Sequence, residues 1–175
     1  GETHPLGCVG HSGPLAESCQ AVARFTPGPE MRVKFIATRW RNGAGAHVQD
    51  ADTLPALARG IAAMVPARAL TASLGQLDLG LVAHCDVVSD ALPKVDLFRA
   101  ADGCGAGCRD HYLGIVPMPV CRTAGLGYLG KPVAVTVDDA EVAAHELGHN
   151  LGMDHAPYCG AFALRPLQPM FDYPQ

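Results

Sequence analysis

Nowhere does this 175-residue chain stay apolar for long. Arg, Asp, Gly or Pro interrupts every run before it reaches the roughly 18 residues that a membrane-crossing helix needs, which argues against a helical span. A basic block is also missing. With 13 Lys and Arg against 17 Asp and Glu, the formal net charge is −4, and nothing draws the chain to a phosphate backbone. Internal repeats and low-complexity tails are lacking as well. Residues Gly1 to His4 form no basic-then-apolar leader, and any export signal is expected to have been removed already.

What is present suits one globular domain, expected to be a monomer. Hydrophobic residues make up 49% and charged residues 17%, enough to bury a core in a single unit or one divided by a cleft. Seven cysteines, at positions 8, 19, 85, 104, 108, 121 and 159, suggest an oxidising compartment and up to three disulfides. Proximity favours Cys8 with Cys19 and Cys104 with Cys108, although sequence does not fix connectivity.

Residues 1 to 30 lack periodicity and read as an irregular lead-in. Met31, Val33, Phe35 and Ala37 alternate with Arg32, Lys34 and Thr38, which predicts a half-buried strand over 31 to 40. Asp52 or Thr53 can cap a helix over 53 to 65, with Leu54, Leu57, Ile61 and Met64 on one stripe. Two strands are expected near 68 to 75 and 79 to 85, a helix through Leu92, Val95 and Phe98, and a turn at 102 to 109. Tyr112 to Val116 and Val133 to Val137 read as short strands, followed by a helix capped by Asp138 or Asp139 and ending near Gly152.

That last helix carries the chemistry. His145 and His149, four residues apart, share one helical face and can present imidazoles to one ion. Gly152 can take a left-handed conformation and turn the chain, so that His155 becomes a third ligand. Three neutral imidazoles suit Zn2+ and leave its fourth position to a water whose pKa falls to roughly 7. Glu146, rotated about 100° from His145, can act on that zinc-bound water as general base without ligating the metal. A hydrophobic helix face explains Leu147 and Leu151 but not three histidines and a glutamate at these offsets.

His145, Glu146, His149, Gly152 and His155 fill every fixed position of H-E-x-x-H-x-x-G-x-x-H, and the segment resembles the metzincin clan of zinc endopeptidases. The resemblance implies an α/β fold of the α+β kind. Its plan is a mixed five-stranded sheet with a backing helix and an active-site helix (1 to 152), then a small lower subdomain (153 to 175). It also implies an edge strand that pairs with extended substrate, for which Gly125, Leu126, Gly127 and Tyr128 are the candidates, their glycines admitting a second backbone. A methionine turn beneath the histidines falls to Met170, the sole methionine after His155, with Tyr173 as candidate oxyanion stabiliser. Gly125 to Gly130 and the residues after His155 look like a group of secreted bacterial metzincins, some of which cut mucin-type glycoproteins. The expected substrate is therefore an extracellular protein or peptide, glycoproteins included, and the rival reading is a zinc-containing peptide- or glycan-binding module without turnover.

Other signals lead elsewhere less well. Gly125 to Gly130 spells G-x-G-x-x-G, but Lys131, Pro132 and a β-branched run follow it where a nucleotide site needs a helix. Gly10 to Gly13 lacks the strand and helix of a nucleophile elbow, and Cys104 and Cys108 lack a second cysteine pair for a metal. His4, His11, His47, His84 and His111 read as surface or core residues.

Overall fold

The computed structural model describes residues 3–6, 21–24, 30–65, 67–82, 86–121 and 123–155. In chain order, β1 (Thr3–Leu6) and β2 (Ala21–Arg24) form a two-stranded antiparallel ladder of their own. The long strand β3 (Glu30–Asn42) turns through glycines into β4 (Gly45–Val48), and a 3-10 turn leads into α1 (Leu54–Met64). Then follow β5 (Ala69–Leu81), α2 (Val87–Ala101), β6 (His111–Val116), β7 (Gly125–Gly127), β8 (Val133–Val137) and α3 (Ala140–Asn150).

The second sheet is mixed and six-stranded, one more than the five expected. On one edge β3 runs parallel to β5. On the other, Val33–Ala37 pair in parallel with β6 and Arg39–Asn42 pair antiparallel with β4, so β6 and β4 follow each other along the same edge. Next to β6 lies β8, parallel, and beyond it β7, antiparallel. The extra strand is β4, formed because Gly45 at φ 138° lets the chain fold straight back on β3. The two strands expected between 68 and 85 are one, β5. Gly75 does not break it: it pairs with Ile36, and a Cβ there would lie 3.3 Å from Lys34 Cε and 3.4 Å from Phe98 Cζ, so the glycine makes room for that pair.

Both faces of the sheet are covered. On one, Met31, Val33, Phe35, Leu113, Ile115 and Ala134 pack with Leu54, Leu57 and Ile61 of α1 and Ala143 and Leu147 of α3. On the other, Ile36, Trp40, Val133 and Val135 pack with Val88, Leu92 and Val95 of α2. β3 is therefore half-buried only at its two ends; from Phe35 to Thr38 every residue is buried. Each fully buried large apolar side chain contributes about 1.5–3 kcal/mol of transfer free energy, so both layers matter to stability. The helices approach closely where side chains are small: a Cβ on Gly60 would meet Ala140 Cβ at 2.7 Å, which sets α1 directly against the start of α3. Gln49 and Thr53 both donate to the Asp138 carboxylate, tying the approach to α1 to the residue before the α3 cap. The expected Cys104–Cys108 disulfide closes the turn after α2, with Cα atoms 5.2 Å apart. Cys8 and Cys19 lie outside the described residues. No helix of the described residues is long and apolar enough to cross a membrane.

Candidate metal centre

α3 is started by Asp139, whose carboxylate accepts from Glu141 N–H at 2.9 Å and Val142 N–H at 3.1 Å, satisfying donors that the first turn leaves unpaired. Val142, Ala143 and Leu147 face the core, which leaves His145 and His149 half-buried on a flank. At the other end the helix closes in a Schellman motif. Gly152 takes φ 85°, its N–H donates to His149 O at 2.9 Å, and Met153 N–H donates to Gly148 O at 3.0 Å. The chain turns sharply there and returns His155 to the two helical imidazoles, as the spacing predicted.

The three rings converge. Their ligating atoms all lie within 4.8 Å of one another, and His145 Nε2 is 3.2 Å from His155 Nε2. Two nitrogens bound tetrahedrally to one zinc ion sit about 3.3 Å apart, given bond lengths of about 2.0–2.1 Å, so the His145–His155 pair has such a spacing and the three residues together could hold a metal ion. His149 Nδ1 lies 2.8 Å from Met153 O. A carbonyl only accepts, so Nδ1 carries the proton and Nε2 presents a lone pair to the centre, the usual support of a metal-ligating histidine. Burial, followed by the neighbouring His149 and His155, lowers the His145 pKa to about 4, so at neutral pH it is already in the form that binds metal.

Glu146 is not among the converging ligand atoms and is only 5% exposed. It lies beneath β7. A Cβ on Gly125 would sit 2.7 Å from both Glu146 Cγ and Oε1, and one on Gly127 would sit 2.8 Å from the Glu146 carbonyl oxygen and 3.1 Å from Oε2. Both glycines are therefore required by close approach. Burial raises the Glu146 pKa to about 7, and a hydrogen bond from the Gly127 backbone acts against that rise. A carboxyl so poised can take and release a proton near neutral pH.

The expected edge segment is a strand only over Gly125–Gly127; from Tyr128 the chain turns, with Gly130 at φ 70°. β7 pairs with β8 on one side and with no described strand on the other, and Leu126 is 37% exposed. Met170 and Tyr173, with most of the expected lower subdomain, lie outside the described residues. The sequence passes over Asn150 and reads His111 only as a surface or core residue. Asn150 is 6% exposed, and its side chain binds the turn after β7. Its signal was a weak helix former inside the last helical turn, next to a metal-ligand candidate.

The Gly152 turn can be tested. No atom lies within 4 Å of a Cβ placed there, so Gly152→Ala should act through backbone strain alone, costing about 1 kcal/mol of stability. It should also weaken metal binding by displacing His155. Metal titration checks this, and an unchanged affinity would show that the turn does not place the third imidazole.

Among known protein families and curated proteins, no family model and no protein sequence matches this chain.

Proposed function

We propose that the protein is a zinc-dependent endopeptidase of metzincin type, secreted and of bacterial origin, that hydrolyses extracellular proteins, glycoproteins included. The observation that carries this reading is the pairing of three converging imidazoles, two on α3 and one after its closing turn, with a buried carboxyl of the same helix that has a near-neutral pKa and lies under a sheet edge. His145, His149 and His155 hold the ion. When bound, zinc supplies Lewis acidity to a carbonyl and lowers the pKa of water. Glu146 takes the proton of the attacking water and passes it to the leaving amine, its orientation kept by Gly125 and Gly127. The side of β7 that no described strand pairs offers backbone donors and acceptors to an extended polypeptide, a mode of binding that positions one carbonyl while reading few side chains. The rival reading, a binding module without turnover, has no use for a buried base beside the metal.

The test is cleavage of casein and of a mucin-type protein with and without chelator. Cleavage lost on chelation and restored by zinc is expected. Metal-loaded protein that cleaves neither substrate would favour the binding module. Acid should also release the metal, because ligating imidazoles must be neutral. At limiting zinc, occupancy should fall as the pH drops below about 6, the imidazole range, with His145 protonating only near its own value of about 4. Full occupancy at pH 4 would contradict the three-histidine site.

A further inference from the structure

The turn between β7 and β8 is fastened to the end of α3 that carries the metal-ligand candidates. Asn150 Nδ2 donates to Val133 O at 2.9 Å and to Tyr128 O at 3.2 Å, and Gly130 N–H donates to His149 O at 2.8 Å. Val133 O also accepts from Tyr128 N–H at 3.1 Å, so one carbonyl joins the closing pair of the hairpin to the helix. Two backbone carbonyls can only accept, which fixes the amide nitrogen of Asn150 toward the turn and its oxygen toward His111, whose Nδ1 lies 3.5 Å away. The side chain is buried and spans from the residue after His149 to both ends of the turn. Asn150 Nδ2 also lies 3.4 Å from where a Gly127 Cβ would be, close under β7 itself.

We propose that Asn150 is a positioning residue, holding the turn on α3 so that the β7 backbone stays in register over Glu146 and beside the imidazoles. It touches neither metal nor substrate; it acts through β7. Its kinetic consequence rests on the peptidase reading, but the structural coupling does not. With both amide donors gone, β7 and its turn stay tied to α3 by the Gly130 bond to His149 O and the Gly127 backbone bond to Glu146, and the edge that no described strand pairs, where an extended substrate would lie, is held less firmly above Glu146.

The experiment uses the full zinc-loaded chain with Asn150→Asp, which keeps the shape but replaces both donors by an acceptor, and Asn150→Ser, too short to reach both carbonyls. Amide exchange, zinc stoichiometry, and KM and kcat on a casein-derived peptide are measured well below melting. Exchange over 125–133 should quicken about tenfold or more in both variants, while the ladder between β3 and β6 keeps its protection. Zinc stoichiometry should be unchanged, and kcat/KM should fall about tenfold, mostly through KM, because β7 is the edge a substrate strand meets. Exchange that stays at the wild-type rate over 125–133, or that quickens uniformly across the sheet, would overturn the assignment whatever the activity. Quickened local exchange in a protein whose wild type cleaves nothing would uphold the positioning role and refute the peptidase reading.

Discussion

Replacing Glu146 by Gln or Ala should reduce turnover by at least about 10²-fold while zinc remains bound at full stoichiometry. The side chain is not among the converging ligand atoms, so its loss leaves the metal donors intact. The Gln variant keeps the shape and an oxygen that can accept from Gly127, and removes only the group that exchanges a proton. A stability measurement tests the same residue without zinc. Burial raises the folded-state pKa to about 7 from 4.5, so this group's contribution is fully present below about pH 4.5 and is lost as the pH rises through about 7. Metal-free Glu146→Gln should therefore be the more stable protein at pH 8, by up to roughly 3 kcal/mol, and should lose that advantage at pH 4. Half the wild-type rate in a zinc-loaded variant would remove Glu146 from its role, and equal melting at pH 8 would remove the physical cause given for its pKa.

Adding one methyl group to β7 should do damage of two different kinds. Gly127→Ala sets a Cβ 2.8 Å from the carbonyl oxygen of Glu146, an atom of the helix backbone that cannot swing aside. The strand must lift from α3, at a cost of about 1–3 kcal/mol, typical of overpacking. Gly125→Ala presses instead on Glu146 Cγ and Oε1 at 2.7 Å and on Val142 Cγ1 at 2.8 Å, all side-chain atoms. A carboxyl can rotate away, so this variant should keep more of its stability but lose most of its turnover, since a displacement of about 1 Å in a catalytic group can cost about 10²-fold. Melting temperature and kcat/KM, measured on both variants, separate the two effects. A Gly125→Ala protein with the wild-type rate would mean that β7 does not set the position of Glu146.

The helix and metal motif were legible because they rest on local rules. An acidic cap at Asp139, histidines four apart and a glycine where the helix must end are all set by neighbours within a few residues, and the spans of α1, β8 and α3 follow the sequence closely. What the sequence withheld depends on distant partners. Gly75 reads as a break until Lys34 and Phe98 are brought against it, and β4 exists only because β3 runs on far enough to receive it. Ile36, Thr38 and Trp40 spoil a clean alternation because α2 covers the second face of β3, which no local pattern announces. Asn150 reads as an ordinary polar helix residue until the Tyr128 and Val133 carbonyls arrive beneath it.

The two apolar layers have a mechanical consequence. The sheet is a partition between them: α1, α3 and the histidines lie with one compartment, and α2 fills the other. Among the described residues, no buried apolar side chain belongs to both. A change of volume on the α2 side, such as a Cβ on Gly114 driven to 2.7 Å from Val95 Cγ2, can reach the imidazoles by bending strands, which ladders on both sides resist, or by moving Tyr128, which packs on the α2 layer and whose carbonyl accepts from Asn150. Most of the α2 compartment is thus buffered from the ligand triad by the sheet, and Tyr128 is the point at which repacking on that side would be felt at the end of α3.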